Sequence, residues 1–141
     1  MKRLAIDYGK RRAGIAITDD QGTIIIPYKI ISYKNLDSFL AQIKNEIVNV
    51  KPGEIVLGLP LNMDGTESKM SREVRGIAKR LEKDVNIKTV LYDERLTTFE
   101  AREFLKEHGV SEKRQKEIVD MYAAYCLLKS YIAEQMERRD V

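Results

Sequence analysis

Leu4-Ala5-Ile6-Asp7-Tyr8-Gly9-Lys10-Arg11-Arg12-Ala13-Gly14-Ile15-Ala16-Ile17-Thr18-Asp19 is the stretch on which the fold turns. Leu4 to Ile6 is apolar without alternation, as expected of a strand buried on both faces. Asp7 then interrupts it, and an ionised carboxylate is costly to bury unless it is paired or bound to a metal. Gly9 follows at a turn and Gly14 stands in the returning strand, where a missing side chain lets the backbone turn or another group approach. Lys10, Arg11 and Arg12 occupy the tip. One acid on a rigid strand, with glycine relief around it and a basic rim above, suits a metal ion facing a phosphate backbone. The same residues also fit an ordinary turn with a solvated tip, so the decision rests on the rest of the chain.

Working outward, Ala13 to Ile17 forms the second strand, Asp19-Asp20-Gln21-Gly22 the next turn, and Thr23 to Ile31 the third strand, an antiparallel meander. Pro27 cannot donate to a ladder and places that third strand at an edge or a bulge. The period then changes. Leu36, Phe39, Leu40, Ile43, Ile47 and Val50 follow helical spacing, with Asn35 as N-cap and Pro52-Gly53 as the stop. Ile55 to Leu59 is a compact apolar strand ending in Gly58 and Pro60, which leads into Leu61-Asn62-Met63-Asp64-Gly65-Thr66. A second helix carries Met70, Val74, Ile77, Ala78 and Leu81 on one stripe, with Lys69, Arg72, Arg75 and Lys79 off it. Thr89 to Tyr92 is the fifth strand and ends in Asp93-Glu94-Arg95. Thr97-Thr98-Phe99-Glu100 fits a capping box opening a third helix that Gly109 closes. From Ser111 the chain reads as helix. Its apolar run Met121 to Leu128 is expected to be buried all round, and its polar tail from Glu134 to Val141 to fray. The order β-β-β-α-β-α-β-α-α predicts an α/β fold. It combines a three-strand antiparallel meander with two parallel strands, joined by right-handed crossovers, into a mixed five-stranded sheet flanked by helices. Residues 1–141 are expected to form one domain.

Composition limits the function classes. Of 141 residues, 43% are apolar and 33% charged, which is globular and not disordered. The net charge of +3 permits nucleic-acid binding without demanding it, so clustering of the cations matters more than their sum. A single cysteine, Cys126, with no CxxC spacing, argues against a zinc site and fits a reduced, cytoplasmic setting. The run after Met1-Lys2-Arg3 is too short for a signal peptide, and no stretch is long enough to span a membrane.

Three elements carry acids toward one place. Asp7 lies near the carboxyl end of strand one, Asp93 and Glu94 end strand five, and Asp120 borders the apolar run of the last helix. Open α/β sheets build their sites at the carboxyl ends of strands. Like-charged carboxylates gathered there repel unless a cation neutralises them, and an all-oxygen donor set suits Mg²⁺ or Mn²⁺. Adjacent residues at a strand end point to opposite faces, so only one of Asp93 and Glu94 faces Asp7 easily. The uncertainty of a strand's last residue leaves that choice open, while reach favours Glu94. His108 fits a cation in the last turn of a helix. Tyr122, Tyr125 and Tyr131 fit core packing, and Lys113, Arg114 and Lys116 fit a solvated face within reach of a phosphate.

Four segments, in order, resemble the YqgF/RuvX family of Holliday junction resolvases, also linked to pre-16S rRNA maturation. They are Ile6-Asp7-Tyr8-Gly9-Lys10-Arg11-Arg12-Ala13-Gly14-Ile15-Ala16, Gly58-Leu59-Pro60-Leu61-Asn62-Met63-Asp64-Gly65, Tyr92-Asp93-Glu94-Arg95-Leu96-Thr97-Thr98 and Asp120-Met121-Tyr122-Ala123-Ala124. The resemblance implies a ribonuclease-H-like fold, with Asp7, Glu94 and Asp120 as the catalytic and metal-binding acids. One departure from the wider fold stands out. The second acid of such nucleases often ends the fourth strand, where this chain has Gly58-Leu59-Pro60, so here it comes from one strand further out.

The expected function is therefore a metal-dependent endonuclease on structured nucleic acid, either precursor rRNA or branched DNA. Lys10, Arg11, Arg12, Arg95, Thr97 and Thr98 would bind substrate, and the chain would act as a monomer or homodimer. Two other classes compete. A non-catalytic RNA-binding ribosome-maturation factor would gain nothing from mutually repelling acids. An actin-like ATP-binding fold also begins Asp-x-Gly but needs a second domain over the nucleotide.

Overall fold

The computed structural model describes residues 1–95 and 106–139. The expected third helix, from Thr97 to Gly109, falls largely outside them, as do Thr97 and Thr98. The described elements are β1 (Arg3–Tyr8), β2 (Arg12–Thr18), β3 (Ile25–Ser32), α1 (Leu36–Val50), β4 (Glu54–Leu59), α2 (Lys69–Val85), β5 (Lys88–Asp93) and α3 (Glu112–Arg139). They form a five-stranded sheet in the order β3-β2-β1-β4-β5. β1 pairs antiparallel with β2, and β2 with β3; β1 pairs parallel with β4, and β4 with β5. β1 is therefore central, and Leu4, Ala5 and Ile6 are fully buried, as an unalternating apolar strand requires. β3 is an edge strand and also bulged: its register against β2 shifts between Ile15 and Ala16, so Pro27 answers to both alternatives.

The two faces of the sheet have different partners. Leu4, Ile6 and Tyr8 pack with Phe39, Leu40, Ile43 and Ile47 of α1 and with Val74, Ile77 and Leu81 of α2. Both helices begin on designed caps. Asn35 accepts from the Ser38 amide, and Ser68 and Ser71 form a reciprocal capping box. On the opposite face Ala5, Ala16 and Val56 meet Ala124, Leu127, Leu128 and Tyr131 of α3. Small residues on both sides of that contact let the helix lie close to the sheet. α3 is not buried all round, however. Tyr122 is 39% exposed and Tyr125 half-buried, since among the described residues the helix packs on the sheet through one side, with Ala124, Leu127, Leu128 and Tyr131. Nor does its tail fray at Glu134. The helix continues to Arg139, and Arg138 pairs with Glu134 one turn back.

The direction of α3 is fixed at the far end of the sheet. Buried Glu54 accepts from Arg3 Nε at 3.0 Å, and the Arg3 guanidinium lies 5.8 Å from the centre of the Tyr131 ring. The Tyr131 hydroxyl is pushed up to about 12 by burial and then by its hydrogen bond to Glu54. Tyr131 thus sits by the start of β1 and β4, whereas Leu127 packs by Gly58 near the end of β4. α3 runs antiparallel to β1, and its earlier turns, Asp120 among them, emerge at the carboxyl edge of the sheet.

Candidate active site

Strand alternation distributes the side chains at that edge. Ala5 faces α3, so Asp7 faces it too, while Ile6 and Tyr8 face α1 and α2. Gly14 of β2 is the direct partner of Asp7, and β4 reaches Gly58 one residue after the Ile6–Leu57 pair. Asp7 therefore stands between two strands that each present a glycine. On β5, Tyr92 packs toward α3 and Leu91 toward the other core. The same alternation turns Asp93 away from Asp7 and brings Glu94, just past the strand, back to its side.

Gly58 makes that arrangement possible. A Cβ built on it would coincide with the space held by Glu94 Oε2, 3.0 Å from Glu94 Cδ and 3.2 Å from Leu127 Cδ2. Glu94 reaches over β4 through the gap and hydrogen-bonds to Asp7. The end of β4 carries no acid, and the longer acid from the next strand lies across a residue without a side chain. Burial first, then the charge of Asp7, its hydrogen bond and the charge of Asp93 push the Glu94 carboxyl far above the ordinary range, so Glu94 holds a proton and donates it to Asp7. Two carboxyls in contact and an all-oxygen donor set fit a hard divalent cation, which would displace that proton. Asp93 behaves differently. Its carboxylate takes Arg95 Nη2 at 2.6 Å and Nε at 2.9 Å, and that guanidinium holds it below its usual value. The backbone of Asp120 lies in α3.

The cationic rim is built by the β1–β2 turn. The Gly9 amide donates to the Arg12 carbonyl at 2.9 Å, and a Cβ on Gly9 would sit 2.7 Å from that oxygen, so the tight turn requires glycine. The Tyr33 amide donates to the Arg11 carbonyl at 3.1 Å. Tyr8, Tyr33 and Phe39 pack as an aromatic trio with ring centres 4.8–5.6 Å apart, and the Tyr8 hydroxyl donates to Glu73 of α2. The turn is therefore anchored, with its charges at the rim. A cleft of about 540 Å³ is lined by Asp7, Gly9, Lys10, Arg11, Arg12, Ala13, Gly14 and Ile30. Asp7 and three cations thus share one concavity.

The remaining site expectations are placed less simply. Arg95 is turned to Asp93 and donates through Nη1 to the Met63 carbonyl at 3.2 Å, tying the β4–α2 loop to the end of β5. Three features were not read as functional from sequence. Gly58 carried a signal, glycine inside an apolar strand. The Arg95–Met63 tie carried none. Ile30 lies 41% exposed in the cleft and pairs with Gly14, which puts it on the Asp7 side of the sheet, but a bulged edge strand hides which face a residue takes.

Comparisons with known proteins agree with this architecture. A protein from Maridesulfovibrio salexigens named "Putative pre-16S rRNA nuclease" is 38% identical over 133 residues, covering 94% of this chain and 98% of its own. The Thermus thermophilus RuvC structure superposes with a TM-score of 0.62 at 12% identity over 97% of both chains. Fowlpox virus resolvase, solved with substrate Holliday junction DNA, superposes with a TM-score of 0.57 at 14% identity, over 96% of this chain and 99% of that one. Both structures share the ribonuclease-H-like sheet. The model of the RuvX family, described as Holliday junction resolvase, matches residues 1–134, and the chain belongs to that family.

Proposed function

We propose that the chain is a metal-dependent endonuclease that hydrolyses phosphodiesters of structured nucleic acid, in precursor 16S rRNA processing or junction resolution. The observation that carries this reading is the Asp7–Glu94 carboxyl pair, set across Gly58 beside a cleft rimmed by Lys10, Arg11 and Arg12. Asp7, Glu94 and Asp120 would hold Mg²⁺ or Mn²⁺. Such an ion supplies Lewis acidity toward a phosphoryl oxygen and toward water. The rim cations fix the phosphate backbone over Asp7 by charge, without reading sequence. To hold such an ion Glu94 would have to be without the proton it shares with Asp7, so binding of the ion would weaken at low pH. Asp93, engaged by Arg95, holds the neighbouring loops in place. Among the described residues no helix is long and apolar enough to cross a membrane, and a cytoplasmic monomer or homodimer suits the substrate.

The test offers the purified chain with Mn²⁺ a branched DNA and a precursor rRNA fragment side by side, with Glu94→Gln and Asp93→Asn as variants. The expected result is cleavage of at least one substrate, lost in Glu94→Gln and retained in Asp93→Asn. Binding of both substrates without cleavage of either would refute the nuclease reading and leave a binding factor.

A further inference from the structure

α2 carries a second cationic surface, remote from the cleft. Its buried stripe is Ser71, Val74, Ile77, Ala78 and Leu81. On the opposite side, at spacings of three, four, three and four residues, stand Lys69, Arg72, Gly76, Lys79 and Lys83, all exposed. Residues so spaced share one helix face. Arg80, also exposed, falls on the same side and pairs loosely with Asp84 at 3.7 Å. The acids of the helix are placed elsewhere. Glu73, at the margin, takes the Tyr8 hydroxyl, Asp84 takes Lys44, and Glu82 lies off the stripe. At the centre Gly76 has nothing within 4 Å of a built Cβ, so the backbone there is open to a group resting on it.

The chemistry of this face selects its partner. Protein interfaces have cores enriched in aromatic and apolar residues and depleted in lysine. A membrane-surface helix needs apolar anchors beside its cations. The outward face of α2 has neither, because its apolar residues all point into the core. A row of cations with an open backbone position between them suits a polyanion. From Lys69 to Lys83 the row runs about 21 Å at 1.5 Å per residue, well over half a turn of duplex. α2 starts at the carboxyl edge of the sheet, just beyond the β4–α2 loop, and runs away from the cleft on the other face.

We propose that the Lys69–Arg72–Lys79–Lys83 face of α2 binds the phosphate backbone of a nucleic-acid duplex arm, distinct from the segment held over Asp7. A folded or branched substrate offers two arms, and this surface takes the one that leaves the cleft. The proposal rests on the reading of the chain as a nucleic-acid binder and does not need the chain to cleave.

The experiment measures binding in EDTA against salt, with a duplex DNA of about three turns and an RNA hairpin of equal stem length as separate probes. Arg72→Gln, Lys79→Gln and Lys83→Gln are combined. An equal-charge control combines Lys51→Gln, Lys129→Gln and Arg138→Gln, and melting temperatures confirm that both fold. Each phosphate contact contributes about 0.9 to the slope of log K against log salt on duplex DNA. The α2 variant is expected to lose up to about 2.7 units on at least one probe, and the control less than one. The probe that loses the slope identifies the duplex, RNA or DNA, that the face carries. A slope in the α2 variant equal to that of the control, or a wild-type chain that binds neither probe, would overturn the proposal. Cleavage in Mn²⁺ is scored separately. Slope loss in a chain that cleaves nothing leaves this surface standing and removes only the nuclease reading.

Discussion

Gly58→Ala tests the central geometric claim, that an empty position on β4 lets Glu94 reach Asp7. The new methyl would occupy the space of Glu94 Oε2, and Leu127 Cδ2 at 3.2 Å must also give by a few tenths of an ångström. Forcing extra volume into a filled site costs about 1–3 kcal/mol, whereas replacing a strand glycine by alanine returns roughly 0.5–1 kcal/mol of backbone entropy. Glu94 also has an escape. It lies at the end of β5, and moving outward relieves its burial while giving up its hydrogen bond to Asp7. The unfolding free energy in EDTA should therefore change by less than about 1 kcal/mol. The metal response should not survive so well, since one carboxylate has left the proposed donor set. If affinity falls tenfold, Mn²⁺ at 100 times the wild-type Kd stabilises by about 1.4 kcal/mol instead of about 2.7. For a chain of this length the Mn²⁺-induced rise in Tm then shrinks by about 4 °C. The assay is a thermal melt with and without Mn²⁺, run on Gly58→Ala, Glu94→Gln and the double variant. Both single variants should lose the same part of the shift, and the double variant should lose no more, because both act on one carboxyl. A Gly58→Ala chain with the full wild-type shift would show that Glu94 does not depend on that gap.

Asp7→Asn removes the charge that obliges Glu94 to keep its proton, a requirement that costs more stability as pH rises above the unfolded carboxyl value, so Tm in EDTA should exceed that of the wild type at alkaline pH; a clear fall in Tm there would mean that Asp7 is structural. Arg95→Ala should release the Met63 carbonyl and so speed proteolytic nicking between Leu61 and Thr66, and an unchanged nicking rate would show that the loop holds itself. Glu46 is buried and accepts from Lys29 at 2.7 Å and Tyr28 at 2.9 Å, and the Lys29 bond holds its carboxyl below the usual value. A depressed folded-state pKa gives stability that is present above the unfolded value near 4.3 and lost as pH falls through the folded one. Glu46→Gln should therefore cost on the order of 1–3 kcal/mol at pH 7 and progressively less toward pH 3, and chemical denaturation at both pH values checks it.

Much of this was legible because period and punctuation agree with the tertiary structure. The unbroken apolar run of β1 told of burial on both faces, and Pro27 of an edge or bulge; both follow from which groups a strand can leave unpaired. The acids at the strand ends were visible as residues, but their pairing was not. Whether Asp93 or Glu94 faces Asp7 depends on where β5 stops, and alternation along one strand contains no reference to its neighbours. The answer lies in the register of β4 against β5, which sets Gly58 beside Tyr92 and so opens a path for the residue two further on. The α3 run misled for a related reason. Eight consecutive apolar residues cover every side of a helix, yet among the described residues it is the side toward the sheet that is buried. What the outward residues do is decided by the surface around the helix and not by its own sequence. Tyr122 stays 39% exposed, packing edge-to-face on Tyr125 at 6.4 Å. Local pattern thus determines the elements and their buried faces. The proposed function depends on what two neighbouring elements leave empty between them, here a missing side chain at residue 58 that no pattern within β4 alone would assign to Glu94.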